Sequence, residues 1–318
     1  MQKTEIPIFF TIDDSYAPYL GTALVSMKEN ASREYSYQII IVEQDLSREN
    51  RKRLQAEEEP GFSLRFVRMN AMPGEITDRE ENRLRCDYFT LTIYYRLFIA
   101  DMFPEYDKAI YIDSDVVILG DISKLYQIDL GECLIGACPD DSIADVPELV
   151  SYTEEAVGME RGKYINSGVL LLNLKKMREA GLGSHFLRLI DRYHFDCIAP
   201  DQDYLNAMCR GKILYLDQKW DAMPAKGRQP VRDPQIIHFN LFEKPWCYSG
   251  VEYEDHFWHY AEKTAFYREI RTYKENYSED QQRSDRGCLN LLIEKACTIP
   301  EAETTFRKMK ERGARIEL

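Results

Sequence analysis

Lys108-Ala109-Ile110-Tyr111-Ile112-Asp113-Ser114-Asp115-Val116-Val117-Ile118-Leu119 sets two aspartates inside an otherwise apolar run. Residues 109–113 are rich in β-branched and aromatic side chains and predict a strand buried on both faces of a parallel sheet. Past the end of such a strand, an i, i+2 pair can direct Asp113 and Asp115 to the same side. Two carboxylates that close repel each other unless a cation lies between them. Mg²⁺ or Mn²⁺ suits hard oxygen ligands and keeps positions open for phosphate. A turn aspartate bonding its own backbone is the plainer alternative. Unpaired buried charge is expensive, however, so charges flanked by apolar sequence on both sides need a partner. In an open α/β sheet, ligands bind at the carboxyl ends of the strands.

Upstream, residues 6–12 predict a first strand, stopped by Asp13-Asp14-Ser15. Residues 16–30 predict a helix, with Leu20, Ala23, Leu24 and Met27 at helical spacing and Pro18 in the first turn. Residues 37–42 and 64–69 predict two further strands, joined by a helix that Ser47 caps and that runs to residue 58. This β-α-β-α-β order predicts a right-handed, parallel, Rossmann-like half-sheet. No Gly-x-Gly-x-x-Gly follows the first strand, so the usual dinucleotide fingerprint is absent. Asp13-Asp14 stands in its place, either to bond a nucleoside's base or ribose or to complement a helix dipole. Residues 71–85, polar around Pro73-Gly74, predict a mobile lid. Residues 88–103 predict a helix with Leu91, Tyr95, Leu97 and Phe98 on its apolar face. Arg96 interrupts that face, placed to meet a phosphate or to pair with Asp113.

Downstream, residues 133–137 predict a short strand and residues 140–160 an acidic loop. Asn166-Ser167-Gly168 opens the apolar run to Leu172, bringing an amide, a hydroxyl and open backbone to the start of a buried strand. That composition suits a hydroxyl-rich ligand such as a sugar, and equally an ordinary turn. Pro200-Asp201-Gln202-Asp203 opens a helix; one aspartate is explained by capping, but Gln202 between them is not. His238 follows the apolar Ile236-Ile237 and can join Asp113 and Asp115 as a metal ligand, and Lys244 can neutralise phosphate. From residue 255 onward the chain predicts aromatic-rich helices, a polar linker at residues 278–286, and helices at residues 288–296 and 301–312 that dock on the core or on another subunit.

The 318 residues allow one large α/β domain with additions or two small ones. The net charge of −13 argues against nucleic acid and against broad adhesion to anionic lipid. The eight cysteines are scattered with no Cys-x-x-Cys, which predicts reduced thiols rather than a zinc site or a disulfide framework. No signal peptide or membrane-length apolar run is found, so a cytoplasmic protein is expected.

Taken together, Asp113-Ser114-Asp115, Asn166-Ser167-Gly168, Asp201-Gln202-Asp203 and His238 followed by Lys244-Pro245-Trp246 resemble, in order and spacing, the signatures of glycosyltransferase family 8. These are retaining enzymes that include lipopolysaccharide galactosyl- and glucosyltransferases and glycogenin. The resemblance covers residues 6–258. It implies a GT-A (nucleotide-diphospho-sugar transferase) fold: α/β, with a Rossmann-like, mostly parallel central sheet flanked by helices. The implied division is a catalytic domain at residues 1–258 and a helical C-terminal region at residues 259–318. It further implies a UDP-hexose donor (glucose or galactose), a saccharide acceptor, and Mn²⁺ or Mg²⁺ on Asp113, Asp115 and His238. Lys244 would add positive charge at the diphosphate. Thr11, Asp13 and Ser15 align with the segment that holds uracil and ribose, and Arg96 with an arginine spanning donor sugar and phosphate. Ser114, Asn166 and Ser167 would line the donor site, with Asp201 and Gln202 at the transferred sugar. Retention proceeds either through a covalent intermediate on Asp201 or by same-face departure and attack with Gln202 as a polar stabiliser.

Two positions depart from the pattern: Leu241 stands where glycine is common three residues after the histidine, and Ser15 where asparagine is common. Two alternatives stay open. An apolar strand ending Asp-x-Asp-x-Val also resembles haloacid-dehalogenase phosphatases, with Asp113 as nucleophile and Asp115 as acid/base. A sugar-nucleotide-binding protein without turnover is the other. A place at the inner face of the membrane and an oligomeric state are compatible with all of these.

Overall fold

Along the first strand, Ile8 and Phe10 point to one apolar cluster and Phe9 to another, and all three are fully buried. Side chains of a strand alternate between faces, so this sheet is covered on both sides. The structure, a computed structural model, describes residues 3–69, 91–224, 227–242 and 244–318. Its strands are β1 (Glu5–Asp13), β2 (Ser36–Gln44), β3 (Phe62–Arg68), β4 (Ala109–Ile112), β5 (Val116–Ile118), β6 (Ile135–Pro139), β7 (Ile165–Leu172), β8 (Ile213–Tyr215) and β9 (Ile236–His238). Its helices are α1 (Ala17–Asn30), α2 (Arg48–Gln55), α3 (Ile99–Met102), α4 (Ile122–Gln127), α5 (Pro147–Tyr152), α6 (Leu174–Ala180), α7 (Leu182–Tyr193), α8 (Pro200–Met208), α9 (Glu254–Ala261), α10 (Tyr267–Glu275), α11 (Glu279–Thr298) and α12 (Phe306–Glu311).

Seven strands form the main sheet in the order β3-β2-β1-β4-β7-β6-β8. β3, β2, β1 and β4 run parallel, as does β8 beside β6, whereas β7 is antiparallel to both its neighbours. The expected mostly parallel sheet flanked by helices is therefore present. The chain leaves β1 for β2 on one side and returns to β4 on the other, which makes the β1–β4 crevice the switch point where such sheets bind ligands. β5 and β9 form a separate antiparallel pair, with His238 opposite Val116.

Several local expectations hold with their physical causes. Ser47 accepts from the Asn50 amide and caps α2, and Pro18 sits in the first turn of α1. Asp13 caps a 3₁₀ turn at Asp14–Tyr16. Others need correction. Within residues 88–103, a 3₁₀ helix at Leu91–Leu97 precedes the single turn of α3, in place of one amphipathic helix. Tyr94 through Ala100 are all buried, so no solvent face imposes a 3.6-residue period there. The predicted strand at residues 133–137 lies two residues later, at Ile135–Pro139. The acidic stretch at residues 140–160 is not a loop. It holds α5 and a π-helical turn closed by Gly158 at φ +85°, with Leu149, Val150, Tyr152, Ala156 and Val157 buried beneath exposed acids. The polar linker expected at residues 278–286 is the start of α11, fixed by a capping box between Ser278 and Gln281. The lid expected at residues 71–85 lies outside the described residues.

The C-terminal helices dock on the core. Ile270 of α10 joins the cluster on one face of the sheet, and Leu292, Ala296 and Phe306 join the cluster on the other. Phe306 packs on Phe195 with ring centroids 4.0 Å apart and edge-on to Tyr204 at 4.9 Å. We expect Phe306→Ala to lower unfolding stability by about 3–5 kcal/mol. Urea denaturation followed by circular dichroism measures this, and a loss under about 1 kcal/mol would mean the tail is not part of the cooperative core.

Candidate active site

β4 ends at Ile112, and the chain then turns through Asp113, Ser114 and Asp115 before β5 starts. Pairing of β5 with β9 brings His238 beside Asp115, with the Phe239 amide donating to the Asp115 carbonyl at 2.9 Å. One ligand atom each from Asp113, Asp115 and His238 then lie within 4.8 Å of one another. The i, i+2 reading of the two aspartates and the distant histidine thus converge in space. Two carboxylates and an imidazole are a donor set suited to a divalent cation such as Mn²⁺.

Cationic side chains occupy the remaining positions around the acids. Arg96 is 5% exposed; its Nη2 meets Asp113 Oδ1 at 2.9 Å, its Nε meets Asp201 Oδ2 at 3.1 Å, and its Nη1 donates to the Ser167 carbonyl at 2.7 Å. The guanidinium also lies 4.5 Å from the Tyr111 ring centroid. Lys244 bonds Asp115 Oδ2 and the Phe239 carbonyl. Burial alone would raise the Asp115 pKa, but Lys244 and His238 reverse this and hold it below the usual carboxylate range. At Asp113 burial wins: it pushes the carboxyl up, with Asp115 adding to the push and Arg96 opposing it. Tyr111 donates to Asp113 Oδ1 at 2.6 Å and shares a hydrogen bond with Thr11 at 2.9 Å.

Behind Arg96, the other predicted polar residues form one buried network. Gln202 Oε1 accepts from the Ser167 amide at 3.0 Å, and Ser167 Oγ donates to Asp201 Oδ2 at 3.0 Å. Asn166 Nδ2 at 3.2 Å and Gln202 Nε2 at 2.8 Å both donate to Asp140 Oδ2. Gly168 is needed for a specific reason. A Cβ there would sit 2.2 Å from His238 Cε1, so only glycine admits the imidazole. Asp13, by contrast, turns inward on its own segment, accepting from the Ser15 amide at 2.9 Å and hydroxyl at 2.6 Å. A cavity of about 800 Å³ opens over Thr11, Asp13, Ser15, Arg96, residues 113–115, Lys244 and Trp246. Leu241 also borders it and adopts φ +59°, the left-handed conformation that glycine tolerates best. Its amide donates to Asn240 Oδ1 at 2.7 Å.

Two residues escaped the sequence reading. Asp140 collects the Asn166 and Gln202 amides, but it opens a stretch whose sequence reads as an acidic loop. Asp221 is fully buried and accepts from His238 Nδ1 at 3.0 Å. Among the described residues its Oδ2 has no hydrogen-bond partner. A carboxylate on Nδ1 orients the ring and leaves Nε2, 3.3 Å from Asp115 Oδ1, to face the acids. Burial pushes the Asp221 pKa up to about 6 although His238 opposes the shift. For His238, burial disfavours the charged ring, but Asp115 and Asp221 outweigh it and raise the pKa to about 10.

Asp221→Asn and Gly168→Ala should each weaken Mn²⁺ binding by about 10–100-fold, one by releasing the ring and the other by displacing it. Calorimetry reads both, and unchanged affinity in both variants would remove His238 from the ligand set. The metal-free protein at pH 7 lies below the His238 pKa, so a cation arriving at Nε2 must expel a proton. Mn²⁺ affinity should therefore climb with pH, by up to about tenfold per unit between 7 and 10. Titrations in buffers of different ionisation enthalpy count the proton released, and a count of zero contradicts the assignment.

Residues 7–250 match the model of a family described as glycosyl transferase family 8. The chain is 27% identical over 288 residues to General stress protein A of Bacillus subtilis (strain 168), spanning 84% of this chain and 96% of that protein. It is 27% identical over 198 residues to the lipopolysaccharide 1,2-glucosyltransferase of Escherichia coli (strain K12), spanning 54% of this chain and 56% of that protein. Among solved structures, the galactosyltransferase LgtC, in complex with donor and acceptor sugar analogs, superimposes with a TM-score of 0.68 at 24% identity. That superposition covers 88% of this chain and all of LgtC. The architecture is the GT-A fold, and the chain belongs to glycosyl transferase family 8.

Proposed function

We propose that this enzyme moves a hexose, glucose or galactose, from a UDP-sugar to a saccharide or glycan acceptor with retention at the anomeric carbon, using Mn²⁺ or Mg²⁺. The observation that carries this is the convergence of Asp113, Asp115 and His238 beside Lys244 at the switch point of the sheet. A bound divalent cation supplies Lewis-acid charge neutralisation to the departing diphosphate. Lys244, released from Asp115 as that carboxylate turns to the cation, would bring its charge to the same leaving group. Thr11, Asp13 and Ser15 border the cavity and would hold uracil and ribose. Arg96, fixed on both Asp113 and Asp201, would span the donor phosphate and sugar. Asn166, Asp201 and Gln202 would meet the hydroxyls of the transferred hexose, with Asp140 orienting two of their amides.

For the retaining step, same-face departure and attack is the route favoured. Asp201 is tied to the Arg96 guanidinium and to the Ser167 hydroxyl, which lowers its power as a nucleophile. Gln202 would then stabilise the anomeric centre without bonding to it. The phosphatase alternative needs a carboxylate at position 113 free to attack phosphorus. Here Asp113 is engaged by Arg96 and Tyr111, and Asp115 by Lys244 and His238. No helix among the described residues is long and apolar enough to cross a membrane.

Titration of UDP in the presence of Mn²⁺ tests the donor site. Saturable binding that is lost with EDTA and in Asp115→Ala is expected, followed by slow hydrolysis of UDP-glucose or UDP-galactose. If UDP does not bind with Mn²⁺ present, the transferase reading fails.

A further inference from the structure

The family match ends at residue 250, but the cavity wall does not. It continues onto α10 and α11 through Glu269, Tyr273, Tyr277, Gln281, Ser284 and Asp285. Aromatic rings pave this end of the cavity. Tyr19 stacks on Trp246 with centroids 3.9 Å apart, Tyr16 lies 5.7 Å from Tyr19, and Tyr277 lies 5.7 Å from both Tyr273 and Tyr248. Tyr16 and Tyr273 are among the few large hydrophobic side chains left exposed, at 37% and 43%, and both border the cavity. The wall is held in place, because Asp285 accepts from the Tyr248 and Tyr277 hydroxyls at 2.6 Å each.

The two ends of the site differ in chemistry. A diphosphate at Asp113, Asp115 and Lys244 would have the buried carboxylates and amides of Asp140, Asn166, Asp201 and Gln202 on one side. None of those four lines the aromatic cavity. Carboxylates and amides suit sugar hydroxyls, whereas exposed aromatic faces suit a planar base. The geometry points to α10 and α11 as the nucleoside wall of the donor site, with Tyr273 stacking on the base and Gln281 and Ser284 offering it hydrogen bonds. This assignment rests on the nucleotide-sugar reading above. It adds to the segment at the end of β1 a second contribution to base affinity, from C-terminal helices that lie beyond the family match.

The test is calorimetric titration of UDP and of inorganic pyrophosphate, each with Mn²⁺, into the wild type, Tyr273→Ala, Tyr273→Phe and Gln281→Ala. Tyr273→Ala should weaken UDP about tenfold or more while leaving pyrophosphate unchanged, and Tyr273→Phe, which keeps the ring face, should retain UDP binding. Both side chains are exposed, so truncation leaves the core intact. UDP affinity unchanged in both Tyr273→Ala and Gln281→Ala overturns the assignment. So does equal weakening of UDP and pyrophosphate. A wild type that binds neither ligand is a separate failure, that of the donor reading itself.

Discussion

Charge balance in a nearly dry crevice governs this structure. Asp113, Asp115, Asp201 and Asp221 lie within reach of one another's partners, and three cationic or ionisable groups, Arg96, Lys244 and His238, are distributed among them. Removing one partner from a buried pair leaves an uncompensated charge, which destabilises by about 3–5 kcal/mol. Arg96 is the most constrained member because one guanidinium serves Asp113, Asp201 and the Ser167 carbonyl at once. A lysine offers no planar fork and could not hold all three in fixed geometry. Arg96 thereby ties the end of β4 to the start of β7 and to the first turn of α8.

The fold delivers these groups through strand ends rather than through long loops. β4 stops at Ile112, β5 and β9 pair immediately afterwards, and β7 begins at Ile165 with the Asn166-Ser167-Gly168 segment already in the sheet. Sheet pairing on both sides means that a one-residue slip of β9 against β5 would turn His238 away from Asp115. The absent side chain at Gly168 and the Asp221 carboxylate then fix the ring from two directions. Leu241 shows the same rigidity. It is held in a left-handed conformation, costing about 1–2 kcal/mol, at a position that borders the cavity.

Most of this site was legible because its residues break the pattern around them. Asp113 and Asp115 interrupt an apolar run, Arg96 interrupts an aromatic one, and His238 ends a strand of isoleucines. Asp140 and Asp221 were not legible, because an aspartate after a strand or within a turn already has a local explanation. Asp140 does cap a 3₁₀ turn, and its carboxylate serves the network as well. The partnership of Asp221 with His238 spans 17 residues and is created only when Ala222 bridges to Ile237 of β9. The acidic stretch ahead of β7 was misread for a related reason. α5 is only six residues long, too short for a periodic signal, and its buried Leu149, Val150 and Tyr152 stand among the acids that dominate the surrounding sequence.

α11 is the most instructive departure. Its first half reads as a linker and its second half as a helix because the two halves meet different surroundings. Gln281, Ser284 and Asp285 border the open end of the cavity, whereas Leu292 and Ala296 lie in the hydrophobic core. A helix that crosses from a wet site to a dry core has no single amphipathic stripe along its length, so hydrophobic periodicity fails just where it crosses. The polar half is helical because the capping box at Ser278 and Gln281 satisfies its first amides and because the apolar half anchors it. Cavity-facing polarity and core anchorage are thus two requirements on one element, and the composition of α11 answers both.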